Sequence, residues 1–149
     1  SWSNTCDAFH GSSLSDDGEG PYLAMKKALE VAKLKPEQIG FINTHGTATE
    51  NNDEKESVAM KRLFETVPAF ASTKSNIGHT LGAAGAVEAV FCLLNLQYQE
   101  VYPNLRFENA IDTTGLKPVT EYQPMKLEHV MSNSFGFGGN CSSLIFSKA

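Results

Sequence analysis

The stretch "GFINTHGTATENND", residues 40–53, takes the chain from a short apolar run into a loop rich in hydroxyl-bearing residues. An apolar run of this length is typical of a buried strand. Asp53 and Glu56 have the spacing of a capping box, which predicts a helix that opens there and continues to Phe64. His45 is therefore expected in the loop between the carboxyl end of a strand and a helix.

A second strand, loop and helix follow in "PAFASTKSNIGHT", residues 68–80, and "LGAAGAVEAVFCLLNL", residues 81–96. The helix is apolar on every side, which is typical of a buried helix. Glu88 lies inside it, and a buried carboxylate needs a positively charged partner, for which Lys74 is the candidate. Two interpretations of this pair are compatible: a structural ion pair, and a pair that fixes the loop aiming His79.

The two ends of the chain complete the predicted fold. Residues 1–20 are polar and rich in small residues, which predicts a mobile leader loop, and a helical stripe of apolar residues follows from Tyr22 to Leu34. Near the C-terminus, "VMSNSF" and "CSSLIFSK" predict two strands joined by the glycine turn "GFGGN". The proline-punctuated connection of residues 101–129 has room for an edge strand. The order β-α-β-α-β-β predicts an α/β layered protein, with residues 1–149 as one domain.

Composition excludes several classes of function. The net charge of −5 comes without a Lys/Arg cluster, which argues against nucleic acid and anionic membrane surfaces as partners. No stretch is expected to approach the roughly 20 consecutive apolar residues needed to span a bilayer. Cys6, Cys92 and Cys141 are widely separated and lack metal-ligand spacing. These features predict no metal site, reduced thiols and a cytoplasmic protein.

Two predicted loops carry a histidine, His45 in "NTHGT" and His79 in "STKSNIGHT". Ligand sites of α/β sheets gather at the carboxyl ends of strands, so the two imidazoles are expected to converge. Neutral imidazoles there can donate hydrogen bonds to a carbonyl oxygen that becomes an oxyanion or enolate. Either histidine alone is more often structural. Thr47 and Thr49 suit an amide-bearing substrate arm, although threonines in loops are more often turn formers.

The segment "GFGG", residues 136–139, lacks dinucleotide-binding spacing and precedes a strand rather than a helix. Phe135 and Phe137 among these glycines are compatible with a flexible loop that carries an aromatic gate, or with an ordinary tight turn. Cys141 is expected at the start of a strand, where nothing activates a thiol as a nucleophile.

Three blocks carry a resemblance to a known family: "NTHGTATENND", "STKSNIGHTLGAAGAVEAV" and "SNSFGFGGN". In order and spacing they resemble the beta-ketoacyl-acyl-carrier-protein synthases of fatty acid and polyketide assembly. The resemblance covers essentially the whole chain but only the C-terminal part of such an enzyme. The family's catalytic cysteine lies upstream, and no block here resembles it. One departure is Asn140-Cys141, where the family usually has Thr-Asn.

The resemblance implies a thiolase-like half-fold: a mixed five-stranded sheet packed with helices, one half of an αβαβα layered enzyme. The helix of residues 81–96 would belong to the shared central layer. It implies no bound cofactor, with a phosphopantetheine arm supplied by the acyl carrier protein. The implied partners are that carrier protein and an N-terminal ketosynthase half, and the intact enzyme is expected to be a homodimer.

The resemblance also implies roles for individual residues. His45 and His79 match the histidines that assist decarboxylation of a malonyl thioester and stabilise its enolate. Lys74 matches the lysine that orders the site and pairs with the carboxylate at Glu88.

Substrate-binding residues follow in the same way. Thr47 and Thr49 match the threonines that bind the phosphopantetheine arm, and Phe135 and Phe137 match the gating loop. Without the nucleophilic cysteine, the chain is expected to be inactive in isolation. The alternatives are a non-catalytic partner subunit or carrier-binding module, and a thiolase-like degradative enzyme. The "STKSNIGHT" block argues against the last of these.

Overall fold

The computed structural model describes residues 1–148, and a five-stranded mixed sheet forms its centre. The strand order is β1 (Trp2–Cys6), β7 (Asn140–Ser147), β6 (His129–Phe135), β2 (Phe41–Asn43) and β3 (Ala69–Ala71). Strand β2 is parallel to β3 and β6, whereas β7 is antiparallel to β6 and β1. The helices are α1 (Glu19–Ala32), α2 (Glu50–Leu63), α3 (Lys74–Ile77) and α4 (Ala84–Tyr98). The predicted α/β fold with a mixed five-stranded sheet is confirmed.

The fifth strand comes from the N-terminus, so the prediction of a mobile leader loop over residues 1–20 is wrong for its first part. Strand β1 is inconspicuous in the sequence because its core-facing side chains are small and polar. Ser3 Oγ donates to the carbonyl oxygen of Ala24 at 2.7 Å, and Thr5 Oγ1 donates to that of Gly20 at 2.9 Å. These hydrogen bonds attach β1 to α1, which begins earlier than the apolar stripe predicted.

The proline-punctuated connection contributes no strand to this sheet. Instead, β4 (Glu100–Val101) and β5 (Gln123–Pro124) form a separate two-stranded ladder.

The rest of the leader is fastened to the glycine loop between β6 and β7 by Asp7. The backbone N–H of Asp7 donates to the carbonyl oxygen of Gly139 at 2.7 Å. Its buried carboxylate accepts hydrogen bonds from the backbone and hydroxyl of Ser15, at 3.1 and 2.7 Å, and from the backbone of Gly20 at 3.3 Å. The leader is therefore an ordered segment packed on the loop that carries Phe137.

Gly139 is the closest point of this contact, so we expect Gly139→Ala to lower the free energy of unfolding by about 2–4 kcal/mol. Gly139 has a φ of 76°, and an added Cβ would lie 1.9 Å from the carbonyl oxygen of Asp7. Gly136→Ala is the matched control, because the nearest atom to its added Cβ is 3.8 Å away. Urea unfolding of both variants is the measurement, and equal losses would contradict this account of the loop.

The sheet separates two apolar layers because successive strand residues point to opposite faces. On one face, Ile42 and Met131 pack with Met25 of α1 and Met60 of α2. On the other face, the sheet packs against α4 and against residues of the connection that follows it; the buried residues of that layer include Phe41, Val130, Cys92, Leu96 and Leu127. The C-terminal ends of β2 and β3 emerge between these layers.

Helix α4 is only partly covered, so the prediction of a fully buried helix is wrong for this chain. Its sheet-facing residues are buried, but Val90 and Leu93 on the opposite face are 54% and 51% exposed. Trp2 is 66% exposed. Because Ser3 faces α1, its neighbour Trp2 points to the same side of the sheet as α4. One sheet can cover only one side of a helix that is apolar all round.

Among the described residues, the run Leu81–Tyr98 is long and apolar enough to cross a membrane, with a mean hydropathy of 1.3 over 18 residues. This corrects the expectation that no stretch comes close to that length and composition. Core helices of globular proteins pass the same test, and Glu88 in the middle of this helix forms an ion pair with Lys74. The run is thus weak support for a membrane span.

Candidate active site

Two loops at the carboxyl ends of neighbouring parallel strands form the candidate site. The His45 loop, residues 44–49, follows β2, and the Lys74 turn, residues 72–79, follows β3. The ring centroids of His45 and His79 lie 5.7 Å apart with an interplanar angle of 88°. The structure therefore brings together the two imidazoles that the strand pattern predicted to converge.

His45 occupies an environment that disfavours a charged ring. The residue is 8% exposed, and its Nδ1 has no hydrogen-bond partner within residues 1–148. Burial, and then the positive charges of Lys74 and His79, lower the pKa of His45 to about 3. The ring is therefore neutral at physiological pH, with one N–H to donate.

His79 is more open, and its tautomer is set by its own turn. Its Nδ1 accepts a hydrogen bond from the backbone N–H of Leu81 at 3.2 Å. In a neutral ring this assigns the proton to Nε2, which is left free to donate. Burial, and then the charge of Lys74, lower the pKa of His79 below its usual value. Both histidines are thus held as neutral donors.

The predicted pairing of Lys74 with Glu88 is confirmed. Lys74 Nζ contacts Glu88 Oε1, and the two side chains are 5% and 2% exposed. Ser134 Oγ donates to the second carboxylate oxygen of Glu88 at 3.4 Å. Burial raises the pKa of Glu88, while Lys74 and Ser134 oppose that rise. The pair anchors the Lys74 turn to α4 and to β6.

Glu56 is a site residue that sequence reasoning missed, because the predicted capping box is wrong. Helix α2 begins at Glu50 with Thr49 as its N-cap, one turn earlier than expected. Glu56 is 2% exposed, and its two carboxylate oxygens accept the backbone N–H groups of His45 and Gly46, each at 3.0 Å. It therefore holds the two peptide groups that flank the Cα atom of His45.

A buried amide connects this carboxylate to the sheet. Asn133 Nδ2 donates to Glu56 Oε1 at 3.2 Å, and Ser143 Oγ donates to Asn133 Oδ1 at 2.7 Å. Burial raises the pKa of Glu56 to about 7, against the hydrogen bonds from Gly46, His45 and Asn133. Within the charged run "ENNDEKE", nothing in the sequence marks Glu56 as the inward-facing carboxylate.

A groove of about 640 Å³ reaches His79, and its lining also includes Thr47, Lys74 and Arg106. Apolar side chains such as Phe70 and Leu116 line other parts of it. Thr47 is half-buried and Thr49 is exposed, and their hydroxyl oxygens lie 3.0 Å apart. The groove thus combines apolar walls with the hydroxyl group of Thr47.

The two phenylalanines of the glycine loop occupy different positions. Phe135 is 5% exposed, and its ring centroid lies 5.9 Å from that of His45. Phe137 is 82% exposed. Only Phe135 packs directly against the histidine pair in this conformation.

The cysteines lie outside the histidine pair. Cys92 is fully buried in the core layer with α4. Burial, and then the charge of Asp7, raise the pKa of Cys141 to about 12, so this thiol is not a nucleophile. Cys6 is exposed, and its thiol lies 3.7 Å from the carbonyl oxygen of Gly138.

The sequence of this chain matches a known protein family. Residues 1–108 match the family model described as beta-ketoacyl synthase, C-terminal domain. The chain is 43% identical over 147 residues to the chloroplastic 3-oxoacyl-[acyl-carrier-protein] synthase II of Arabidopsis thaliana, covering 95% of this chain and 27% of that protein. It is 41% identical over 148 residues to 3-oxoacyl-[acyl-carrier-protein] synthase 2 of Vibrio cholerae, covering 95% of this chain and 36% of the relative.

A solved structure gives the same result. The fold matches a beta-ketoacyl synthase from Burkholderia phymatum with a TM-score of 0.94 and 35% identity, covering 99% of this chain and 36% of that one. The chain thus spans about a third of the length of the relatives it matches. The family match, the sequence identity and the shared thiolase-like half-fold agree: this chain belongs to the beta-ketoacyl synthase family and corresponds to its C-terminal domain.

Proposed function

We propose that this chain is the C-terminal part of a 3-oxoacyl-acyl-carrier-protein synthase and supplies the half of the active site that decarboxylates a malonyl thioester. The observation that carries the proposal is the pair of imidazoles, 5.7 Å apart, at the ends of two parallel strands. The pKa values of both rings are lowered. Two neutral N–H donors on neighbouring rings suit an oxygen that gains negative charge during a reaction.

The proposed chemistry uses these donors as follows. The carboxylate of the malonyl thioester leaves as CO₂, and the electron pair of the broken C–C bond forms an enolate. His45 and His79 donate N–H hydrogen bonds to the enolate oxygen, His79 through Nε2. The enolate carbon then attacks an acyl thioester on the cysteine of the N-terminal half, forming a C–C bond and releasing the thiolate. Holding the enolate next to this thioester makes the second step effectively unimolecular.

Lys74 and Glu88 have a positioning role in this proposal, because their buried ion pair fixes the turn that carries His79. The hydroxyls of Thr47 and Thr49 bind the amide groups of the phosphopantetheine arm supplied by acyl carrier protein. The fit is supported by the groove that runs past Thr47 to His79. No other cofactor is required for the decarboxylation.

The glycine loop would control access to the acyl-binding side of the site. Phe137 is the proposed gate, because its exposed side chain sits among glycines that permit movement of the loop. Phe135, packed against His45, would form the fixed wall beneath the gate.

The proposed partner of the uncovered apolar face is the N-terminal ketosynthase half. Trp2, Val90 and Leu93 lie on the α4 side of the sheet and are all more than half exposed. Such a face calls for a packing partner, and the relatives are about three times as long as this chain.

Homodimerisation of the intact enzyme and a cytoplasmic location remain predictions, and one relative is described as chloroplastic.

A chimera tests the proposal: this chain replaces the corresponding C-terminal segment of the Vibrio cholerae relative, with the unaltered relative as the control for folding and activity. We expect the chimera to release CO₂ from malonyl-acyl carrier protein and the 149-residue chain alone to release none. The His45→Ala/His79→Ala chimera should lose CO₂ release by at least about 100-fold. A folded chimera that keeps its activity without both histidines would contradict the proposal and favour a non-catalytic partner role.

A further inference from the structure

We propose that Ser72 is the positioning residue that sets the separation of the two histidine loops, a role that rests on the proposed function of those histidines. Ser72 directly follows β3 and is 5% exposed. Its hydroxyl oxygen donates to the carbonyl oxygen of Gly46 at 3.0 Å and accepts from the backbone N–H of Lys74 at 3.3 Å. One hydroxyl thus bonds to both the His45 loop and the Lys74 turn.

The location of this hydroxyl matters because sheet hydrogen bonding between the two segments has just ended. The backbone N–H of Thr44 donates to the carbonyl oxygen of Ala71 at 2.9 Å, which continues the β2–β3 ladder by one residue. Within residues 1–148, side chains then connect the two segments. Asn43 Oδ1 accepts from the Thr73 backbone at 3.2 Å, and Ser72 Oγ donates to the carbonyl oxygen of Gly46 at 3.0 Å, with a longer contact of 3.5 Å to that of His45. The bonds from Ser72 end on His45 itself and on the residue after it.

The close contact between Gly46 and Ser72 leaves no room for a side chain at residue 46. Gly46 has a φ of 42°, and a Cβ added there would lie 2.6 Å from Ser72 Cβ and 2.9 Å from Ser72 Oγ. Glu56 holds the N–H of Gly46 from one side, at 3.0 Å. Ser72 holds the carbonyl oxygen of the same residue. Gly46, the residue that follows His45, is therefore held through both of its backbone polar groups.

Ser72 is itself fixed, which a residue that positions others must be. Its backbone N–H donates to Asn104 Oδ1 at 3.0 Å, and its carbonyl oxygen accepts from the backbone and hydroxyl of Ser75, at 3.2 and 2.8 Å. Each polar atom of Ser72 is thus engaged. Loss of the hydroxyl would remove the link to the His45 loop and the bond from the Lys74 N–H. The backbone bonds of Ser72 to Asn104 and Ser75 would remain.

The test compares Ser72→Ala with Ser3→Ala, a matched control in which another buried serine donates to a carbonyl oxygen, at 2.7 Å, on the far side of the sheet. Both variants lose a bond donated to a carbonyl oxygen, and Ser72→Ala also loses the bond accepted from the Lys74 backbone. We therefore expect Ser72→Ala to lower the unfolding midpoint at least as much as Ser3→Ala. In the chimera, Ser72→Ala should lower kcat for CO₂ release by about 10- to 100-fold, whereas Ser3→Ala should leave it unchanged. Equal activities of the two variants would overturn the proposal.

Ser72→Cys keeps a side chain of similar shape but replaces the hydroxyl with a weak donor. We expect Ser72→Cys to be as impaired as Ser72→Ala, and activity equal to that of the unaltered chimera would overturn the proposal. NMR of the histidine-labelled 149-residue chain gives a readout that does not depend on catalysis. Ser72→Ala should weaken the cross-relaxation between the His45 and His79 rings. An unchanged signal would overturn the role of Ser72 even if the proposed reaction itself failed.

Discussion

Replacing Lys74 with methionine is expected to lower the free energy of unfolding by about 3–5 kcal/mol at neutral pH. The reason is that Glu88 would be left 2% exposed within α4 without its cation. Ser134 alone, at 3.4 Å, cannot replace a charged partner. Because burial already raises the pKa of Glu88, the carboxyl group of the variant can take up a proton in mild acid, which removes the unpaired buried charge. The folded carboxyl then keeps its proton to a higher pH than the unfolded one, so the deficit should shrink as the pH falls from 7 to 5.

Urea unfolding at several pH values measures this effect, with Lys27→Met as a matched control whose side chain lies exposed on α1. The control should change stability by less than about 0.5 kcal/mol. The double variant Lys74→Met/Glu88→Leu should recover most of the loss, since replacing a buried ion pair with apolar residues is often close to neutral. A single variant as stable as the double variant at pH 7 would refute the buried-pair interpretation.

A second large effect is expected in the acid dependence that His45 imposes on the fold. The pKa of His45 is about 3 in the folded chain, whereas an unfolded histidine has a pKa of about 6.5. Between these values the unfolded state binds a proton that the folded state does not, so the contribution to stability is complete above about pH 6.5 and declines as the pH falls. From pH 6.5 to 4.5 the expected loss is about 2–3 kcal/mol.

Total stability alone does not isolate this effect, because Glu56 acts in the opposite direction. Its pKa is raised from 4.5 to about 7, so its contribution is present below about pH 4.5 and declines as the pH rises through 7. The difference between the unaltered chain and His45→Gln cancels the Glu56 term. That difference should fall on acidification, and a difference that stays constant from pH 7 to 4.5 would contradict a buried neutral His45.

Much of the fold was predictable where one face of an element is apolar. The runs that became β2, β3, β6 and β7 stand out by hydrophobicity and turn residues. Strand β1 does not, because Ser3 and Thr5 bury hydroxyl groups that bond to α1 rather than apolar side chains. The exposure of one side of α4 could not be predicted from composition either. A helix that is apolar on every side indicates that two surfaces cover it, but composition does not say whether both belong to this chain.

The candidate site likewise contains residues that the sequence predicts and residues that it does not. His45 and His79 could be brought together from sequence because each follows a strand, and parallel neighbours end at the same edge of the sheet. Glu56 and Ser72 escaped notice because their function depends on tertiary contacts with the His45 loop. A glutamate in a charged helix and a serine after a strand have no local pattern that reveals such contacts.

The most direct test of the account is an NMR pH titration of the ring nitrogens of His45 and His79 in the histidine-labelled chain. The account predicts that His45 stays neutral down to about pH 4, consistent with its pKa of about 3. It also predicts cross-relaxation between the two rings, whose centroids are 5.7 Å apart. An imidazole at His45 that titrates near pH 6.5, without cross-relaxation to His79, would contradict the claim that two neutral histidines converge to form this half of the active site.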